Sequence, residues 1–152
     1  MNKPFTLSRT VFNELSRQVN DFEKSQQSIL DNSSLIPIPE RKKYEEKFAQ
    51  YRQHLTHLLD KAQVIDSNDH SLPWVTIGSV VELENLQSKR INKIMVVFPL
   101  ANPPDPGKYM QTSFNSPIGQ ALFLKQPGET IEVTAPGGIF HYEIKSIVLS
   151  VP

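Results

Sequence analysis

The chain has 152 residues, enough for one medium-sized domain or two small ones. Its 16 basic and 16 acidic side chains cancel, which argues against a protein that binds nucleic acid mainly through its overall charge. The absence of cysteine excludes disulfides and thiolate metal sites. The chain has neither a signal-like start nor an apolar run of roughly 18 residues, so we expect a cytoplasmic protein without membrane contact.

The first half of the chain has the spacing of two amphipathic helices. Apolar residues recur at intervals of three, four and seven in a first series, which comprises Leu15, Val19, Phe22 and Ile29. A second series with intervals of three and four comprises Tyr44, Phe48, Tyr51, Leu55, Leu58 and Ala62. Such spacing places the apolar side chains on one face of a helix. We predict two helices of about 20 residues, each about 30 Å long at a rise of 1.5 Å per residue.

A connector at residues 31–39 separates the two series. Its polar residues, together with Pro37 and Pro39, stop one helix and start the next. Two apolar stripes joined by a short connector predict an antiparallel helical hairpin, a coiled coil, rather than two ordinary helices folded onto a globular core. We call residues 31–43 the tip of this hairpin.

The second half of the chain has the pattern of strands. Short apolar runs follow Gly78 and extend over residues 91–98, and apolar and polar residues alternate over residues 131–133 and 140–145. Residues 136–138 (PGG) form a hairpin turn between the last two strands. Ser116 is an N-cap and Pro117 the first residue of a short helix that we expect to end near Lys125.

These elements predict an α+β protein, in which the helical hairpin precedes a small antiparallel sheet with one helix. We place the helical hairpin at residues 1–66, a linker at residues 67–74 and the sheet domain at residues 75–152. Trp74, at the end of the linker, is interpreted as an apolar plug at the domain junction.

Three pieces of the sheet domain carry a resemblance. They are residues 115–122 (NSPIGQAL), residues 127–129 (PGE), and residues 135–138 (APGG) followed by 142–144 (YEI). In this order they resemble the C-terminal domain of bacterial Gre-type transcript cleavage factors, whose relatives include the Rnk regulators. Residues 76–81 (TIGSVV) resemble the first strand of the same domain. The resemblance extends over the whole chain, but the tip is atypical.

The resemblance implies an FKBP-like fold for the C-terminal domain. It also implies that this domain docks at the rim of the secondary channel of RNA polymerase, with Asn115, Ser116 and Pro117 at the contact. The coiled coil would reach down the channel toward the active site. Helix capping alone is the alternative role of Ser116 and Pro117.

The tip departs from the cleaving members of that family. In those members an Asp, and a Glu three residues later, help to hold a catalytic Mg²⁺, which prefers anionic oxygen ligands. When the chains are aligned on Tyr44, the Glu falls on Glu40 but the Asp falls on Pro37, which cannot bind a metal. Asp31, the alternative acid, lies at the other end of the connector. The second helix is also shorter than in the family.

Two groups of residues give the tip its own character. The cationic group comprises Arg41, Lys42 and Lys43. These side chains form either a solvated helix face or a contact with RNA or with acidic groups in the channel. The apolar group comprises Leu35, Ile36 and Ile38. It either packs within the connector or forms an apolar plug against a partner.

From these observations we expect a regulator of transcription elongation that binds RNA polymerase and contacts RNA transiently, without stimulating transcript cleavage. We expect no enzymatic activity, no metal site and no cofactor of its own. The alternatives are an active Gre-type cleavage factor, an Rnk-like regulator and a proline isomerase. The last follows from the FKBP-like fold and from four aromatic side chains, Phe98, Tyr109, Phe114 and Phe123.

Overall fold

The computed structural model describes residues 6–34, 36–97, 110–114 and 116–149. The chain divides into two compact units, one that ends at His70 and one that begins at Ser71. Helices and strands are both present, as expected for an α+β protein. The predicted domain boundaries at residues 66 and 75 remain predictions. No helix within the described ranges is both long and apolar enough to cross a membrane.

The first unit consists of two long helices and a pair of short strands. Its elements are β1 (Thr6–Ser8), α1 (Arg9–Leu30), a 3₁₀ turn (Ile38–Glu40), α2 (Arg41–Lys61) and β2 (Gln63–Ile65). Strands β1 and β2 pair in parallel. Helix α1 starts at a capped end, because the Val11 N–H donates to the Ser8 hydroxyl at 3.2 Å. This bond satisfies one of the free amides of the first turn.

Aromatic rings pack the two long helices together. The ring centroid of Phe22 in α1 lies 5.8 Å from that of Phe48 and 5.5 Å from that of Tyr51 in α2. The Tyr51 hydroxyl also donates to Oε1 of Gln18. Every residue of the two apolar series is buried, except that Val19 and Ala62 are half-buried. The spacing of the sequence thus identifies the helix faces that meet.

The second unit is built around a five-stranded sheet. Its elements are β3 (Ser79–Asn85), β4 (Ile91–Val97), β5 (Met110–Ser113), α3 (Pro117–Leu122), β6 (Thr130–Ala135) and β7 (Gly138–Leu149). The strand order is β5-β4-β3-β7-β6. The core side of the sheet includes Val81, Leu83 and Ile144, none of which has accessible surface.

Two sequence-based expectations for this unit need correction. The predicted antiparallel sheet is mixed, because β5 pairs with β4 in parallel. Parallel neighbours need a crossover of a dozen or more residues, and residues 98–109 supply a connection of that length. Helix α3 ends at Leu122 rather than near Lys125, because Phe123 leaves helical geometry and Leu124 adopts a φ of 57°.

Candidate functional site

The tip is fixed by hydrogen bonds between residues close in sequence. The Ser34 N–H donates to Oδ1 of Asn32 at 3.0 Å, and the Ile36 N–H donates to the Asn32 carbonyl at 3.1 Å. The Glu40 N–H donates to the Pro37 carbonyl at 2.9 Å and closes the 3₁₀ turn that leads into α2. The tip backbone is therefore folded back on itself rather than extended.

The apolar residues of the tip have opposite environments. Ile36 is buried, with 1% of its surface exposed, whereas Ile38 is 74% exposed. Pro37 and Pro39, which flank Ile38, are also exposed. Leu35 lies outside the described residues. Of the two alternatives for the apolar group, packing within the connector therefore fits Ile36, and contact with a partner fits Ile38.

The two acids of the tip, Asp31 and Glu40, have different surroundings. Oδ1 of Asp31 accepts hydrogen bonds from Nη2 of Arg41 and, at 3.0 Å, from Nε2 of Gln27. Glu40 is exposed, and its side chain makes no capping hydrogen bond at the start of α2. Nowhere in the described residues do three or more His, Asp or Glu side chains form a group that could hold a metal ion.

Positive charges surround a buried ring at the start of α2. Lys42 and Lys43 are exposed, and Nζ of Lys43 and Nζ of Lys47 lie 5.7 and 5.5 Å from the centroid of the Tyr44 ring. Burial, helped by the charge of Glu40, raises the pKa of the Tyr44 phenol. Burial, helped by the charge of Lys43, lowers the pKa of the Lys47 ammonium group. Burial is the main cause of both shifts, in agreement with the 2% exposure of Tyr44, the residue at the base of the tip.

The predicted docking residues lie at the start of α3 in the other unit. Ser116 is the N-cap: its hydroxyl accepts from the Gly119 N–H at 3.0 Å and lies 2.5 Å from Oγ1 of Thr112. Pro117 follows as the first helical residue and is exposed, as a contact residue must be. Asn115 lies outside the described residues. The structure thus contains the helix cap formed by Ser116, which is compatible with a docking role for the same residue.

Gly119 is a residue that the sequence analysis missed. A Cβ atom at this position would lie 2.1 Å from the Ser113 carbonyl oxygen and 2.9 Å from the carbonyl carbon and oxygen of Phe114. Only glycine lets α3 approach the end of β5 this closely. The available signal was a glycine inside a short helix, where it is otherwise unfavourable.

The chain is similar in sequence to known transcription elongation factors. The sequence model of a family described as "Transcription elongation factor, GreA/GreB, C-term" matches residues 70–148. The transcription elongation factor GreA of Thermosipho melanesiensis is 32% identical over 124 residues, which cover 82% of this chain and 76% of that protein. The GreA of Nautilia profundicola is 37% identical over 94 residues, which cover 61% of this chain and 56% of that protein.

A solved structure shares the fold. The prokaryotic transcription elongation factor GreA/GreB from Nitrosomonas europaea superposes with a TM-score of 0.54 at 20% sequence identity. The alignment covers 95% of this chain and 98% of that one. At this identity the likeness concerns the fold alone.

Proposed function

We propose that this chain, which belongs to the GreA/GreB family of transcription elongation factors, binds RNA polymerase and regulates elongation without stimulating transcript cleavage. The observation that carries the second half of the proposal is Pro37. It occupies the place of the carboxylate that would complete a metal-binding pair with Glu40, and its side chain has no atom that binds a metal.

The proposed mode of binding follows from the two units. The unit that begins at Ser71 holds nearly all of the family match, and we propose that it has an FKBP-like fold and docks at the rim of the secondary channel. Its contact would be formed at the start of α3, where Pro117 is exposed and Ser116 is held by its cap. The two long helices would act as an antiparallel coiled coil that enters the channel.

The charges of the tip also oppose a cleavage role. A catalytic second Mg²⁺ needs two close carboxylates because it prefers hard anionic oxygens. Here the guanidinium of Arg41 binds Asp31, and Lys42 and Lys43 add positive charge beside Glu40. A metal ion would be repelled by these cations instead of being attracted by a carboxylate pair. We propose that the protein has no enzymatic activity and no cofactor of its own.

A cleavage assay with backtracked polymerase complexes tests this proposal. The protein alone should leave the rate of transcript cleavage at its intrinsic value, while a GreA factor in a parallel reaction raises it. Polymerase binding by the same preparation serves as the control for an active sample. A rate above the intrinsic value, at concentrations that saturate binding, would contradict the proposal.

The variant Pro37→Asp separates the role of the tip from the length of the helices. It restores an acid three residues before Glu40. Cleavage above the intrinsic rate would show that the helices reach the active site and that only the carboxylate is missing. No gain would be expected if the shorter second helix keeps the tip away from the metal.

A further inference from the structure

The tip presents an apolar side chain on a fixed backbone. Ile38 is the most exposed of the large hydrophobic residues in the described chain, and it projects between Pro37 and Pro39. The backbone beneath it is held by the Glu40-to-Pro37 hydrogen bond and by buried Ile36. Proline also restricts the backbone on both sides, so little conformational entropy remains to be lost on binding.

Two exposed cations lie close to this residue in sequence, and one of them, Lys43, also lies over the Tyr44 ring. Lys42 and Lys43 follow Ile38 within about one to one and a half helical turns, and both are exposed. Neither forms an ion pair with another residue in the described parts of the chain, whereas Arg41 is bound to Asp31. We call Pro37, Ile38, Pro39, Lys42 and Lys43 the Ile38 surface.

The composition of the Ile38 surface favours a protein over a nucleic acid. Proteins that hold single-stranded RNA stack its bases on aromatic rings, with cations along the backbone. The aromatic residue nearest in sequence is Tyr44, which is only 2% exposed and packs toward Phe48 with ring centroids 6.3 Å apart. An exposed aliphatic side chain beside two lysines instead matches an apolar pocket with carboxylates at its rim.

We propose that Ile38 inserts into an apolar pocket of a partner protein, whose rim carries carboxylates that pair with Lys42 and Lys43. The inference rests on the proposed function, in that the pocket belongs to RNA polymerase. It adds the chemistry of the contact at the tip. The pocket supplies apolar surface for the isoleucine, and its carboxylates supply the specificity and the salt dependence.

Binding of this chain to RNA polymerase that carries no nucleic acid tests this inference. One variant, Ile38→Ser, removes the apolar anchor, and a second, Lys42→Gln with Lys43→Gln, removes the cations. The matched controls are Ile139→Ser, at a position that is 53% exposed in β7, and Lys24→Gln with Lys61→Gln, on the same two helices away from the tip. All these side chains are exposed, so the denaturation midpoints should agree with that of the wild type.

We expect Ile38→Ser to weaken binding about tenfold, as for an apolar anchor at the centre of a contact. The double lysine variant should weaken it roughly fivefold at low salt and less at high salt. The controls should stay within about twofold of the wild type. Wild-type affinity of both tip variants, with binding by the wild type itself, would overturn the inference while leaving the proposed function intact.

Two other outcomes are also decisive. If the wild-type protein does not bind the polymerase at all, the proposed function fails, and the inference fails with it. If the tip variants bind free polymerase normally but are weakened on complexes that contain RNA, the tip contacts RNA, and the acidic apolar pocket is ruled out.

Discussion

Gly119 in the second unit has no room for a side chain. Its Cα faces the backbone of residues 113 and 114, and backbone atoms cannot move aside as a flexible side chain can. We expect Gly119→Ala to destabilise the protein by about 1–3 kcal/mol, as for other overpacked positions. A chemical denaturation midpoint measures the change.

A matched glycine provides the control for that substitution. A Cβ atom at Gly137 would lie 3.5 Å from the Phe140 ring, which is an ordinary contact distance. Gly137→Ala should therefore change the midpoint much less than Gly119→Ala. Equal effects of the two substitutions would show that the close approach of α3 to β5 does not limit residue 119.

Tyr44 makes the free energy of unfolding depend on pH in the alkaline range. Because the pKa is raised, the phenol of the folded protein stays neutral at pH values just above its ordinary pKa of 10.0. The associated stability is fully present below that value and is lost as pH rises through the folded-state pKa. We expect the free energy of unfolding to fall less for Tyr44→Phe than for the wild type between about pH 9 and about pH 11.

Lys47 has the opposite effect on the free energy of unfolding in the same pH range. Its lowered pKa penalises folding while the ammonium is charged, and the penalty fades as pH rises toward the ordinary value of 10.5. Lys47 is present in both the wild type and Tyr44→Phe, so the comparison isolates the phenol. Identical pH profiles for the two proteins would contradict a shielded tyrosine at the base of the tip.

Among the elements, helix α1 carries a polar defect in its apolar series. Oε1 of Gln26 is buried and has no hydrogen-bond partner in the described structure. A buried, unpaired acceptor costs free energy because it loses its bond to water. Gln26→Leu should therefore raise the free energy of unfolding by about 1 kcal/mol. Gln53→Leu on the exposed side of α2 is the control and should change it little.

The measurement for Gln26→Leu is again equilibrium denaturation, with unfolding followed by helical circular dichroism. A decrease in stability would mean that Gln26 makes a stabilising contact that outweighs its buried oxygen. That result would contradict the destabilising effect assigned to this buried oxygen.

The elements of this protein were predictable to different degrees, for physical reasons. The faces of α1 and α2 follow from apolar spacing, because two long helices need a continuous stripe where they meet. The parallel pairing of β5 could not be read from its sequence, because pairing depends on a distant partner and on the connection at residues 98–109. The end of α3 was missed since Leu124 adopts a left-handed conformation that its residue type does not favour.

In the candidate site, too, the sequence predicts local interactions but not those that depend on how the chain folds. Ser116 was predicted as a cap because capping is a local interaction with a strong residue preference. The pairing of Asp31 with Arg41 and the opposite exposures of Ile36 and Ile38 depend on how the connector folds. Sequence spacing leaves such details open.

Over the chain as a whole, a region that matches the GreA/GreB family model follows a tip that carries Pro37 and three consecutive cations. We propose that the protein acts by contact: its basic and acidic residues balance, and Pro37 stands three residues before Glu40. A protein that occupies the secondary channel without supplying a metal site should exclude a cleavage factor from it. We therefore expect this protein to compete with GreA for the polymerase.

The most direct test is the rate of transcript cleavage in a backtracked complex, with a GreA factor present and this protein titrated in. We expect GreA-stimulated cleavage to fall toward the intrinsic rate as the concentration of this protein rises. Unchanged cleavage at a large excess of this protein would contradict binding at the channel and leave only a shared family fold.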